Sequence, residues 1–392
     1  MAIHELSPED VGWRLRVARE ASGTTQAEAA GAIGLARTTL VAIEKGQRRL
    51  QADEARKLAR IYGTSVNALL RKEAIHVDLV PRFRKEDTST GDATDTAVQL
   101  LQNLVTAEIE LENFLGVTRT VNYPPERPLL RGNVEVQAEA DAIELRQWLG
   151  LGLSPTREMV TLLELDLGVR VYTRKLDAKV SGIFAYDDRI GACILLNAAH
   201  PPERRSQTAG HELAHLVSTR RTPEILQLDQ PESSRQERYA SVFARSFLTP
   251  TRTVMQKFEA VTAGTSQLTR RHVIVLAHAF GVSREAIVRR LEELGLSQPG
   301  TWDWFQTNGG ITDEQARQVL GDLAVPNVET TDANRPTTLR INMLAAEAWH
   351  QGLLSEGQLA NLLHLDRVEL RELLDEMDIE GKAADGVPEL SG

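Results

Sequence analysis

The stretch Thr-Ala-Gly-His-Glu-Leu-Ala-His-Leu-Val, residues 208–217, leaves this chain few choices of fold. On a helix, side chains four residues apart stack above one another, so His211 and His215 point the same way. Two imidazoles so placed can hold two corners of a tetrahedral metal site. Glu212 lies one step, about 100°, further round the helix. It is poorly placed as a ligand but within reach of an attacking water, the position of a general base. Ala209, Leu213, Leu216 and Val217 occupy the opposite side and call for a core. The surrounding fold must therefore put apolar packing on one side of this helix and a polar site on the other.

A catalytic tetrahedral site needs a third protein ligand and an open fourth position. Downstream carboxylates are Glu224, Asp229, Glu232 and Glu237. Glu237, Ala240, Ala244 and Phe247 recur at i, i+3, i+7 and i+10, bordered by Phe243, and make one stripe of a helix spanning about 234–248. A carboxylate on that inward stripe is costly without a cation to answer it, and zinc or an arginine would serve. Glu224 and Glu232 sit in proline-containing loops without this constraint. Two histidines and a carboxylate suit Zn2+ and also tolerate Mn2+ or Fe2+.

With 392 residues, 42% hydrophobic and 26% charged, two to four globular domains are expected. No apolar run approaches the roughly 18 residues that would suggest a membrane span. The N-terminal segment lacks a basic stretch followed by an apolar one, so the expected location is cytoplasmic. The single cysteine, Cys193, lies in the run Ala-Cys-Ile-Leu-Leu and reads as a buried, inert thiol. Residues 11–72 hold twelve Lys/Arg and five Asp/Glu, a balance of +7 within a chain of net charge −10, which leaves −17 elsewhere. Contact with nucleic acid is thus expected at the N-terminal end alone.

Five short helices are read between residues 11 and 72. The first places Trp13, Val17 and Ala21 near one face. Thr25 with Glu28 is a helix start, Gly34 a helix stop, and a helix beginning near Ala36 follows. Helix, glycine turn, helix is the helix-turn-helix spacing. Gln26, Ala30, Gly34, Leu35, Ile43, Glu44 and Gly46, then Leu58-Ala59 and the run 66–70, resemble the Xre family of lambda-repressor-like domains. The resemblance implies that Gln26 approaches DNA, that Arg37, Thr38 and Thr39 face the major groove, and that Lys45, Arg48 and Arg49 meet phosphates.

Residues 73–137 read as a linker carrying one amphipathic helix, with Val98, Leu101, Val105 and Ile109 on its stripe. It could dimerise or brace the body. Strands are expected near 168–172, 180–186 and 190–197, with Asp187-Asp188-Arg189 at a hairpin tip. The sequence Ile194-Leu-Leu-Asn197, the His211–His215 motif, and the run from Glu237 to Pro250 occur in the order that resembles the ImmA/IrrE metallopeptidase family. That resemblance implies metal ligation by His211, His215 and Glu237, with Glu212 as the base. Ser241 and Thr249 stand where the family often has Asn and Met. Residues 275–291 resemble a further helix-turn-helix packing about Gly281. A last set of three helices, the final one acidic, suits protein interaction better than DNA.

The expected fold is mainly α with a small β-sheet. It comprises a five-helix DNA-binding bundle (8–72), a linker and amphipathic helix (73–137), a zincin-like core (138–265), a helical extension (266–326) and a C-terminal helical interaction unit (338–380). The expected activity is a transcriptional regulator, a homodimer on a double-stranded operator, with a zinc endopeptidase that cuts a repressor in trans or its own linker at 73–93 or 118–137. The alternative is an antitoxin whose peptidase-like domain is a sensor or a scaffold for a cognate toxin.

Overall fold

The computed structural model describes residues 8–62, 92–156, 158–222, 224–227, 234–321 and 338–377. It divides into two compact units, 1–76 and 77–392. Among the described residues no helix is long and apolar enough to cross a membrane. The architecture is mainly α with one small mixed sheet.

In the first unit four helices are described: α1 (Pro8–Ala21), α2 (Gln26–Ala32), α3 (Arg37–Glu44) and α4 (Ala52–Ile61). The fifth expected helix lies outside the described residues. Thr25 and Glu28 cap α2 reciprocally, each side chain meeting the other residue's backbone N–H. Gly34 takes φ +75°, which turns the chain from α2 into α3. Leu15, Ala29, Ala30, Leu40, Ile43 and Leu58 form the core. Trp13 and Val17 do not belong to it, being 63% and 44% exposed. The inward face of α1 runs instead through Val11, Leu15 and Ala18, and Arg19 on the same side bonds the buried Glu44 at 2.7 Å.

The second unit is built on a sheet of order β1-β3-β2-β4. β1 (Arg170–Arg174) runs parallel to β3 (Gly191–Asn197), and β2 (Val180–Asp187) pairs antiparallel with both β3 and β4 (Glu224–Gln227). β4 falls where a proline-containing loop was expected. Four residues after a proline leave little periodicity, and an edge position tolerates that sequence. The three longer strands are buried on both faces, which explains the unbroken apolar run about Cys193.

Two cores result. Val171, Phe184, Ile194 and Leu196 face the helices Val134–Trp148, Pro202–Ser218 and Arg235–Leu248. The same core continues through Arg270–Phe280 and Arg284–Glu293, joined at Gly281 with φ +64°. On the outer face Tyr172, Val180, Ile183, Ala185, Cys193 and Leu195 pack against the helix Asp92–Leu115 and the C-terminal helices Leu339–His350, Glu356–Leu363 and Arg367–Met377. The amphipathic stripe of Asp92–Leu115 is therefore spent on the body. Likewise, the C-terminal helices are not a free-standing interaction unit but share this outer core. Their apolar faces need a partner, and that partner lies more than 200 residues earlier in the chain, beyond the reach of local periodicity. Burial pushes the Cys193 thiol up to about 12, so it stays protonated and inert.

Candidate metal centre

The helix Pro202–Ser218, here the ligand helix, is buried from Thr208 to Ser218 on every side, not on one face alone. Gly210 explains part of this, since a Cβ there would lie 3.3 Å from Ala244 Cβ. Its bare backbone lets the helix Arg235–Leu248 cross closely. Ser234 caps that second helix, its Oγ accepting from the N–H of Glu237, and so fixes Glu237 in the first turn. Tyr239, Phe243 and Phe247 stack along the same helix and anchor it in the core. Arg146, buried, donates to the carbonyl of Phe247 and ties down its C-terminal end.

These packings bring His211, His215 and Glu237 together, their ligand atoms all within 4.8 Å of one another. Glu237 Oε2 is 3.1 Å from His211 Nε2, and Glu237 Oε1 is 3.4 Å from His215 Nε2. Metal–ligand bonds of about 2.0–2.1 Å give a tetrahedron edge of about 3.3 Å, so the spacing fits a zinc-sized ion. His215 Nε2 and Glu237 Oε1 are buried and face each other without completing a hydrogen bond. Such atoms are costly unless something else binds them, and a divalent cation answers both. Behind the site, His215 Nδ1 lies 3.0 Å from Thr219 Oγ1, and Phe184 stacks on the His215 ring. Both hold Nε2 toward the site, as ligand histidines require. Thr219 and Phe184 were not singled out from the sequence. A Thr four residues after a ligand His was the available signal for the first, and nothing local marks the second.

Burial pushes the His215 imidazole below its ordinary pKa, which keeps it neutral and able to bind a metal. Burial pushes the Glu237 carboxyl up, but the adjacent His211 and His215 imidazoles outweigh it and hold the group far below the usual carboxylate range. Glu212 is wholly buried and lies beside β2 at Gly182, where a Cβ would come within 3.0 Å of its Oε1. A cleft of about 610 Å³ opens from His211, with Ser181, Thr208, Ser241, Val282 and Ala286 in its lining. Of the rival third ligands, Asp229 and Glu232 lie outside the described residues.

In the first unit, Arg37 and Thr38 are exposed at the start of α3, with Thr39 half-buried beside them. Lys45 and Arg49 are exposed. Some of the expected DNA contacts, Gln26 and Arg48 among them, already hold protein partners. Gln26 Nε2 donates to Glu44 at 2.7 Å, and the Arg48 guanidinium meets both oxygens of Glu54 at 2.9 Å.

Comparison with known families agrees with both halves. Residues 165–292, which contain every candidate ligand and Glu212, match the peptidase family model described as the IrrE N-terminal-like domain. Residues 15–69 match the helix-turn-helix family model. The chain thus joins a helix-turn-helix domain to an ImmA/IrrE-type metallopeptidase domain, whose family implies a metal cofactor. No curated protein matches the chain.

Proposed function

We propose that this chain is a DNA-binding regulator whose second unit is a zinc-dependent endopeptidase acting on a regulatory protein. The observation that carries the reading is the convergence of the buried His211 and His215 with the half-buried Glu237, and the carboxylate Glu212 on the same helix as the two histidines. His211, His215 and Glu237 hold the ion, and Thr219 orients His215. The ion, when bound, supplies Lewis-acid activation of water and of a peptide carbonyl. Glu212 takes the proton from the attacking water and delivers it to the nitrogen of the departing amine. Its burial keeps bulk water from competing for that proton. Gln26, Arg37, Thr38, Thr39, Lys45, Arg48 and Arg49 form the DNA surface of the first unit, and the outer helices are assigned to the body whose outer core they share.

One expectation about the substrate is revised by packing. Backbone groups across 118–137 are engaged: the N–H of Asn122 donates to Leu167 O at 3.0 Å and that of Arg127 to Val217 O at 2.7 Å. Tyr123 Oη accepts from the N–H of Ala192. Cutting there would require peeling this strap from the body, which favours a repressor in trans or the 73–93 segment, nearly all of it outside the described residues. Zinc-loaded protein should cut a co-incubated repressor-type substrate or shorten itself, and Glu212→Gln should do neither while still binding zinc and DNA. If the chain stays whole while a separate repressor is cut, self-cleavage is wrong. If Glu212→Gln behaves as the wild type in cells, the antitoxin or scaffold reading replaces the enzyme.

A further inference from the structure

The alternation of side chains along β2 breaks at one place. Phe184 faces the inner core, while Ile183 and Ala185 face the outer one. Gly182 faces the ligand helix, since its Cβ would meet Thr208 and Glu212. Strict alternation would turn Val180 inward too, yet Val180 is in the outer core. The register explains it: Val180 pairs with Gln227 and Gly182 with Leu226, so Ser181 is an extra residue in a β-bulge. A bulge turns two consecutive residues to one side, and bulges commonly re-aim a side chain beside an active site. Here it turns Ser181 and Gly182 together toward the ligand helix.

Ser181 accordingly lines the cleft with Thr208 and His211, although the residue is only 3% exposed. Among the described residues no hydrogen bond of its hydroxyl is found, and the hydroxyl is not sealed in the core but opens on the cleft. The neighbouring Gly182 leaves room for the Glu212 carboxylate, so the bulge borders the place where a peptide carbonyl would be attacked. A hydroxyl that a backbone irregularity re-aims to open on the cleft, rather than to bond within the fold, is placed to meet what enters that cleft.

We propose that Ser181 is a catalytic residue: its Oγ–H donates a hydrogen bond to the carbonyl oxygen of the peptide bond being cut as that carbon becomes tetrahedral. This rests on the peptidase reading above. A preorganised donor of this kind acts on the charge that develops on the oxygen and gives little to the ground state.

The test uses the full-length zinc-loaded protein and an N-acetyl dialanine phosphinate, whose tetrahedral phosphorus mimics the hydrated carbonyl. Wild type and Glu212→Gln should both bind it by calorimetry. Ser181→Ala should bind about tenfold more weakly, as loss of one hydrogen bond to a charged oxygen predicts. Its kcat should fall by about 10²-fold with KM little changed. Ser181→Thr, which restores the hydroxyl, should recover both. Zinc content and unfolding midpoint should match the wild type in every variant. Phosphinate affinity for Ser181→Ala within twofold of the wild type overturns the role of Ser181 alone. A zinc-saturated wild type that fails to bind the phosphinate overturns the peptidase reading and this proposal together.

Discussion

The second unit buries carboxylates on both faces of its sheet, and the two faces answer them differently. On the outer face, Glu108 is met by Tyr172 Oη at 2.5 Å, Arg119 at 3.1 Å, Arg170 at 3.3 Å and Arg340 at 3.4 Å. Glu112 is met by Arg170 at 2.7 Å and Arg340 at 3.0 Å. Burial pushes the Glu108 carboxyl up, but Arg119 and Arg170 with the Tyr172 hydrogen bond pull it below its ordinary value. On the inner face, the ion-pair contacts of Glu237 among the described residues are His211 and His215, with no guanidinium. A buried acid answered by arginine is a closed account of charge, and its job is to hold elements together. A half-buried acid answered only by two imidazoles leaves a place for a cation. The same residue type on the inward stripe of a helix thus reads as structure in one place and as chemistry in the other.

That contrast can be broken most sharply at Glu212. Glu212→Gln in the zinc-loaded protein should lower the cleavage rate by about 10²–10⁴-fold, the usual worth of a general base, and leave the unfolding midpoint alone. A large drop in midpoint would make Glu212 a structural carboxylate like Glu108. Glu108→Ala should give the opposite signature. Removing one partner of a buried ion network costs about 3–5 kcal/mol, readable by urea unfolding, while the cleavage rate per folded molecule holds.

Chelation separates the faces next. At a free zinc level about a hundredfold above Kd, bound metal adds about 2.7 kcal/mol to stability. A chelator should therefore lower the wild-type midpoint and that of Glu108→Ala alike, and leave Glu237→Ala unmoved. The smallest effect is at Glu164, which accepts from Thr338 Oγ1 at 2.7 Å and the N–H of Arg340 at 3.1 Å. Burial raises its carboxyl above the ordinary value of 4.5 despite those bonds. The folded state then holds the proton more tightly than the unfolded one, so stability from this group falls as pH rises above 4.5. Glu164→Gln should be as stable as the wild type or more so at neutral pH, with the difference growing from pH 4.5 upward. A loss at neutral pH would mean that the ionised form is the one the fold favours.

The convergence of the candidate metal ligands was legible because its signals are local. Two histidines and Glu212 share one helix, and the stripe of Glu237, Ala240, Ala244 and Phe247 marks the third ligand without knowledge of its partner. The strands β1 to β3 and the turn at Gly34 were legible for the same reason. Trp13 and Val17 misled because a short helix offers several plausible faces, and Leu15, the true core residue, sits between them. Ser181 could not be found, since a bulge exists only relative to a partner strand, and that partner, β4, was itself too short to read. The outer core was hidden by distance, its two helical walls being separated by the whole of the inner domain.

That last arrangement sets an order for synthesis. The helix-turn-helix unit leaves the ribosome before the second unit, and its core of Leu15, Leu40 and Leu58 lies wholly within residues 8–62. Every ligand of the candidate centre emerges by residue 237. Yet Ile183, Ala185 and Leu195 are covered in part by Ile341, Leu344 and Leu370, which are translated after all of those ligands. A growing chain can therefore fold its first unit before its sheet is covered on both sides, and the sheet behind the candidate centre gains its outer cover only after every ligand has emerged.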